Sequence, residues 1–376
     1  MKGGILRYSP CLDGLRTVAI AFVIFQHFGG YLVKFFSTGY YGVDLFFVVS
    51  GFLITGILIK DRDHSFGESY RIFMGRRMLR IFPLYYLVII LLAVINFPTA
   101  REAFPWLATY TFNYHTALVK QTGIEQPLFY LWSLSVEEQF YLIWPFVAIG
   151  LRSKPKALLG ITAAVVVLGY LQQTTHFIAA LKPFAYTGLP NRMGSLGIGA
   201  LGAIIVTNWQ VPKFLFNKWY IELVVIMTLV GYLAFMKHLP LPFPVFGICS
   251  LYLVIKATQF EFHLPLIQRF LTHRLIVYIG SISYGIYLFH WPLGHTFTTY
   301  IFDPVWTKIP FESFGKLAVL EYHSWIIKLP LFTVLTVLLA SLSFRWFEKP
   351  ILSLKDRWFS YNRSTDGTTG TATQTR

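Results

Sequence analysis

Long apolar runs separated by short basic loops recur along this chain, and many of them reach the roughly 18 residues that cross a bilayer. The pattern predicts helical spans at about 13–33, 41–60, 82–97, 131–150, 157–172, 188–207, 220–236, 244–258, 275–298 and 325–345. The expected fold class is therefore all-α, a polytopic membrane helical bundle of about ten transmembrane helices. One integral membrane domain is expected over residues 1–350, followed at 351–376 by a cytoplasmic tail. From Ser360 to Arg376 the tail is rich in Ser, Thr and Gly without apolar period, the composition of disorder. The stretch Pro98–Tyr130 is long and aromatic, and is expected to be interfacial or re-entrant, because unpaired backbone cannot face lipid.

Composition supports the membrane reading. The 376 residues are 55% hydrophobic and 13% charged, against about 25% charged in average soluble chains. A net charge of +15 could suggest nucleic acid, but the basic residues collect in loops between spans, as topology signals do. Nucleic-acid binding is not expected. With the N-terminus in the cytoplasm, most Lys and Arg fall on the inner side, which places both termini there. Cys11 and Cys249 are too few and too distant for a disulfide framework or a Cys-rich metal site, and read as packing residues. Lys2 and Arg7 precede an apolar run as in a signal peptide, but Asp13 and Arg16 within that run argue for a retained span. No internal repeat is visible, which counts against a transporter built from inverted halves.

Ionisable groups inside membrane helices are costly and face the protein interior. Arg16 and His27 stand eleven residues apart, so they share one helical face about 16 Å apart along the axis. Counting depth along each span gives two layers. Arg16, Arg76, Arg77 and Arg80 form an inner basic mouth. His27, Asp44, Glu137, Glu138, Arg192 and His290 fall in the outer half. Each has an ordinary alternative: the arginines may be written off as topology signals, His27 as a core histidine and Asp44 as a helix N-cap. Against those readings, Arg77 and Arg80 face together at i,i+3, which suits a phosphate. Asp44 is placed to orient an imidazole rather than to cap. Glu137 and Glu138 project about 100° apart. The face shared by Ser135 and Glu138 is the more polar, so Glu138 is expected to point inwards. There is no nucleophile elbow and no phosphate loop, and no metal is expected.

Five motifs taken together resemble the acyltransferase-3 family of bacterial integral membrane O-acyltransferases. They are Asp13-Gly14-Leu15-Arg16 with His27 eleven residues beyond Arg16, Gly42-Val43-Asp44 to Ser50-Gly51-Phe52, and Arg77-x-x-Arg80-Ile81-x-Pro83-x-Tyr85. The others are Trp132-Ser133-Leu134-x-x-Glu137-Glu138-Gln139-Phe140-Tyr141 and Ser283-Tyr284-x-x-Tyr287-x-x-His290-x-Pro292. The resemblance implies a multi-pass protein of the bacterial inner membrane that moves an acyl group, commonly acetyl from acetyl-CoA, to a hydroxyl. The acceptor would be a cell-envelope carbohydrate or glycolipid, with acyl-CoA a donor substrate and no tightly bound cofactor. By the same resemblance, Arg16, Arg76, Arg77 and Arg80 hold the donor's phosphates and His27 is the general base. Asp44 or Glu138 would orient the imidazole, while Glu137, Arg192, Tyr287 and His290 serve the acceptor or support the site. Many relatives carry a C-terminal hydrolase-like domain. It is expected to be absent after Arg345-Trp346-Phe347-Glu348-Lys349-Pro350, which leaves direct transfer or hand-off to a separate periplasmic partner. The alternative is a non-enzymatic proton-coupled transporter or flippase of an envelope glycolipid, its His, Asp and Glu acting as a relay. The arginines aligned with His27 are superfluous to such a relay. A regulatory or scaffold descendant of an enzyme would not need the intact polar set.

Overall fold

The computed structural model describes residues 8–36, 38–120, 127–235, 242–311, 313 and 321–361. Residues 362–376, most of the expected tail, lie outside the described residues. Helices α1 (Pro10–Phe28), α2 (Thr38–Lys60) and α3 (Phe66–Val94) open the bundle. The short α4 (Ala100–Ala108) and α5 (Phe112–Lys120) follow, then α6 (Trp132–Gly150), α7 (Pro155–Thr175) and α8 (Leu189–Asn208). Next come α9 (Lys213–Phe216), α10 (Trp219–Phe235), α11 (Pro242–Gln259), α12 (Pro265–Thr272), α13 (Arg274–Ser281) and α14 (Ser283–Phe297). The chain closes with α15 (Asp303–Trp306), α16 (Trp325–Ser343) and α17 (Lys349–Trp358). No strand occurs among the described residues.

A helix occupies each predicted range, and among the described residues six helices are long and apolar enough to cross a membrane. Trp219–Leu233 and Pro244–Gln259 are shorter apolar helices. Several boundaries differ from expectation for identifiable reasons. α1 stops at Phe28, where Gly29 and Gly30 turn the chain into a 3₁₀ segment, instead of running to about residue 33. α3 starts at Phe66, well before residue 82, because Ser65 and Glu68 form a reciprocal capping box at its head. That extension puts Arg76, Arg77 and Arg80 on the helix itself rather than in a loop. The predicted span 275–298 divides at Ile282 into α13 and α14. The first residues of the expected tail are helical: α17 is drawn onto α3 where the Phe359 ring covers Gly75. α4 and α5, nine residues each, are too short to cross and dock on their neighbours. Tyr85 and Tyr86 of α3 donate to the Leu107 and Ala108 carbonyls, and Gln139 of α6 donates to Tyr110.

α2 is apolar all round, as a fully enclosed helix must be, and Val48, Phe52 and Ile54 have no exposed surface. Between helices in lipid the attraction is van der Waals packing, which small residues strengthen by letting backbones approach. α2 and α8 meet this way at Gly51 and Gly199. A Cβ on Gly51 would lie 1.9 Å from the Leu196 carbonyl oxygen, and one on Gly199 2.1 Å from that of Val48. α1 and α16 pack together, and Trp325 at the start of α16 meets Gly30 just beyond the end of α1.

Candidate active site

The first polar helix, α1, carries Arg16 near its start and His27 near its end, and each lines a different cavity. The arginine cavity, of about 90 Å³, takes Arg16 from α1, Ser50 from α2, Arg77 and Arg80 from α3, and Glu137 and Glu138 from α6. Arg16 is held by Asp13 one turn earlier, at 3.3 Å. Arg77 lies with its guanidinium over the Tyr141 ring, 5.2 Å from its centroid. Ser50 donates to Glu137 Oε1 at 2.8 Å and accepts from the Tyr141 hydroxyl at 3.3 Å, so Glu137 is anchored. Glu138 is buried and its Oε1 has no hydrogen-bond partner among the described residues. Three guanidinium groups thus face two carboxylates, one of them uncommitted, in a cavity walled by Phe46, Phe47 and Tyr284.

The histidine cavity, of about 290 Å³, lies beyond it along α1 and is lined by Gln26, His27, Tyr40, Tyr130, Tyr186 and Trp291 among others. The His27 ring lies 4.9 Å from the His290 ring, tilted 57° to it, and meets Trp291 edge-on at 4.7 Å. His290 Nδ1 lies 2.7 Å from the Tyr287 carbonyl, which only a protonated nitrogen can satisfy, so its Nε2 is the acceptor. That Nε2 and His27 Nδ1 have no partner among the described residues. Val43 and Tyr287 line both cavities and form the wall between them. The Tyr287 hydroxyl donates to the Tyr130 carbonyl at 2.6 Å, which leaves Ser133 to donate to Tyr287, also at 2.6 Å.

Four expectations are corrected. Asp44 does not orient His27: its Oδ1 accepts from Ser195 at 3.0 Å and pairs with Arg192 at 3.5 Å, all buried. Arg192 in turn donates to the Tyr186 carbonyl and lies over the Tyr186 and Trp132 rings. The pair therefore braces α2 against α8, a supporting role for Arg192. Arg76 faces away from the cavity, bonding the Phe359 carbonyl at 2.7 Å and Asp356 at 2.9 Å, because it sits on the flank of α3 that receives α17. Glu137 and Glu138 do not belong to the outer layer with the histidines but to the cavity with the arginines. Depth counting failed there because α6 begins in the interior, with Leu131 and Trp132 already buried. Both glutamates line that cavity despite their angular separation, since a concave wall admits residues from either side of a helix edge.

Ser50, Ser133, Tyr141 and Tyr284 also line the arginine cavity, and sequence reasoning gave them no role. Each stands within a motif noted for its charged members, and a hydroxyl carries no burial signal of its own. Among the described residues no cluster of His, Cys, Asp and Glu could hold a metal ion.

A family model described as an acyltransferase domain matches residues 9–345. The O-acetyltransferase OatA of Staphylococcus aureus is 30% identical, over 92% of this chain and 57% of that protein. The peptidoglycan O-acetyltransferase OatA of Listeria monocytogenes is 28% identical, over 92% of this chain and 56% of that protein. The chain thus spans little more than half the length of these curated relatives. No solved structure matches it.

Proposed function

The chain belongs to the acyltransferase-3 family, and on that footing we propose that it is a membrane O-acetyltransferase acting on a cell-wall carbohydrate, with acetyl-CoA as donor. The carrying observation is that an arginine cavity and a histidine cavity meet at Val43 and Tyr287. The donor is polyanionic and cytoplasmic, so the end of the bundle where α1 begins faces the cytoplasm. Arg16, Arg77 and Arg80 engage the donor's phosphates through charge-assisted hydrogen bonds. A cavity of about 90 Å³ is too small for the whole nucleotide, so the arginines meet the phosphates at its opening and only the pantetheine arm passes inward towards His27.

The acceptor approaches from the opposite end into the histidine cavity. His27 removes the proton of the acceptor hydroxyl as its oxygen attacks the thioester carbonyl. The new C–O ester bond forms, the C–S bond breaks, and CoA leaves as a thiolate that takes up a proton. His290, fixed in one tautomer by the Tyr287 carbonyl, presents an acceptor nitrogen beside His27 and takes a hydrogen bond from a neighbouring hydroxyl of the acceptor, while the attacking hydroxyl gives its proton to His27. Tyr287, on the common wall, must yield for acyl group and hydroxyl to meet. The transporter reading finds no comparable support. The test is transfer of labelled acetyl from acetyl-CoA to peptidoglycan glycan by the protein in lipid vesicles. His27→Ala should lower the rate about 10²-fold or more at matched insertion, and a near-normal rate would remove His27 from the chemistry.

A further inference from the structure

A second cavity opens on the other side of His27. It has a volume of about 340 Å³, and His27, Trp291, His295, Trp325 and Lys328 contribute to its lining. His27 and Trp291 line this cavity and the histidine cavity alike, so they form the ridge between the two. Neither the family match nor the mechanism above uses the second cavity.

Its chemistry narrows what it can take. Three ring nitrogens on its lining residues, His27 Nδ1, His295 Nδ1 and Trp325 Nε1, are buried without a hydrogen-bond partner among the described residues. Leaving such groups unsatisfied in the interior is costly, so a ligand that pairs them gains by it. Indole offers only a donor, whereas a neutral imidazole offers a donor and an acceptor. A hydroxyl-bearing ligand can answer all of them, and a hydrocarbon tail can answer none. Charge excludes a phosphate, because the one lysine on the wall, Lys328, is already paired with Asp303 at 2.7 Å. Tyr31, Trp291, Trp325 and Phe332 supply flat apolar walls of the kind that pack on the C–H face of a pyranose. The volume lies near the lower end of ligand pockets, enough for about one sugar residue. The wall is also built closely. Gly30 holds a left-handed φ of 53°, and a Cβ there would stand 2.5 Å from Trp325, so the turn after α1 exists in this form only by contact with that ring.

From these observations, and resting on the carbohydrate acceptor proposed above, we infer that the second cavity is a neighbouring-sugar subsite. A glycan strand lies across the His27–Trp291 ridge with one residue in each cavity, and the enzyme selects polymeric over minimal acceptors. The test is calorimetric binding of a peptidoglycan-derived disaccharide and the corresponding monosaccharide to the full chain in nanodiscs. The wild type should bind the disaccharide about tenfold more tightly or better, one good polar contact being worth roughly that factor. Trp325→Phe, which keeps the ring against Gly30 but removes the N–H, and His295→Ala should each erode that preference and leave monosaccharide affinity unchanged. An unchanged preference in both folded variants overturns the subsite, and so does a wild type that binds both lengths equally or binds neither. A wild type that shows the length preference but never transfers acetyl would sink the proposed function and leave the subsite standing. Transfer without length preference would do the reverse.

Discussion

At the feet of α10 and α11, Glu222 and Lys256 are fully buried 3.4 Å apart, and both are engaged by further partners. Glu222 accepts from the backbone N–H groups of His263 and Leu264 at 2.9 and 3.1 Å, and Lys256 donates to the Phe216 carbonyl. Around Arg16 and His27 the opposite holds: Glu138 Oε1, His27 Nδ1 and His290 Nε2 are buried with no partner among the described residues. Both regions place ionisable groups inside an apolar bundle. In the first the groups complete one another and tie the α9–α12 end together. In the second the missing partners are those a substrate would bring. Burial of charge alone therefore does not locate the chemistry; unsatisfied polar atoms gathered on cavity walls point to it. Asp44 and Arg192 stand between the two cases: the pair braces α2 against α8, yet Asp44 Oδ2 has no hydrogen-bond partner among the described residues.

The sharpest way to break the comparison is at the matched pair. Glu222→Leu orphans Lys256 and two backbone N–H groups, so denaturation in detergent should show a loss of about 3–5 kcal/mol. The transfer rate per folded molecule should stay unchanged. If stability held and the rate fell, the two regions would not be separable. A smaller effect of opposite kind is expected in the site. Glu138→Gln removes an uncommitted carboxylate, so single-turnover transfer should fall about tenfold or more, the low side of general acid–base contributions, with little loss of stability. Glu137→Gln disturbs a carboxylate bonded to Ser50 and should reduce transfer less. Equal losses would mean that the free partner is not the feature that matters. The smallest effect belongs to Arg76. Arg76→Ala cuts the tie to Asp356, a half-exposed pair of the kind worth about 0–1 kcal/mol. Donor affinity should stay within about twofold of wild type; a larger fall would return Arg76 to the donor site.

Much of this was readable before any coordinates. The apolar period marked a helix in every predicted range, and the alignment of Arg16 with His27 along α1 carried through to two cavities on one helix. Arg77 and Arg80, one turn apart, do face the same cavity. What escaped the sequence depended on contacts between distant residues. Asp44 had two readings, a helix N-cap or the orienter of an imidazole, and the packing of α8 gives it a third through Arg192 and Ser195. The depth of Glu137 and Glu138 was misjudged because residue counting assumes that a helix starts at the membrane surface, whereas the chain enters α6 already buried. Arg76 was grouped with its neighbours because nothing in its local sequence announces that Asp356 and Phe359 return to meet it.

The central claim is a division of labour along α1: the donor is held at the arginine end and the proton is removed at the His27 end. Acetyl-CoA affinity and single-turnover transfer, measured side by side for Arg80→Ala and His27→Ala in nanodiscs, test it most directly. The account predicts that Arg80→Ala weakens donor binding about tenfold or more, in line with a charged hydrogen bond, with a deficit that changes with ionic strength and a rate that recovers at saturating donor. His27→Ala should bind acetyl-CoA as tightly as the wild type and transfer almost nothing. A His27→Ala protein that loses donor affinity, or an Arg80→Ala protein that keeps it, would contradict the division.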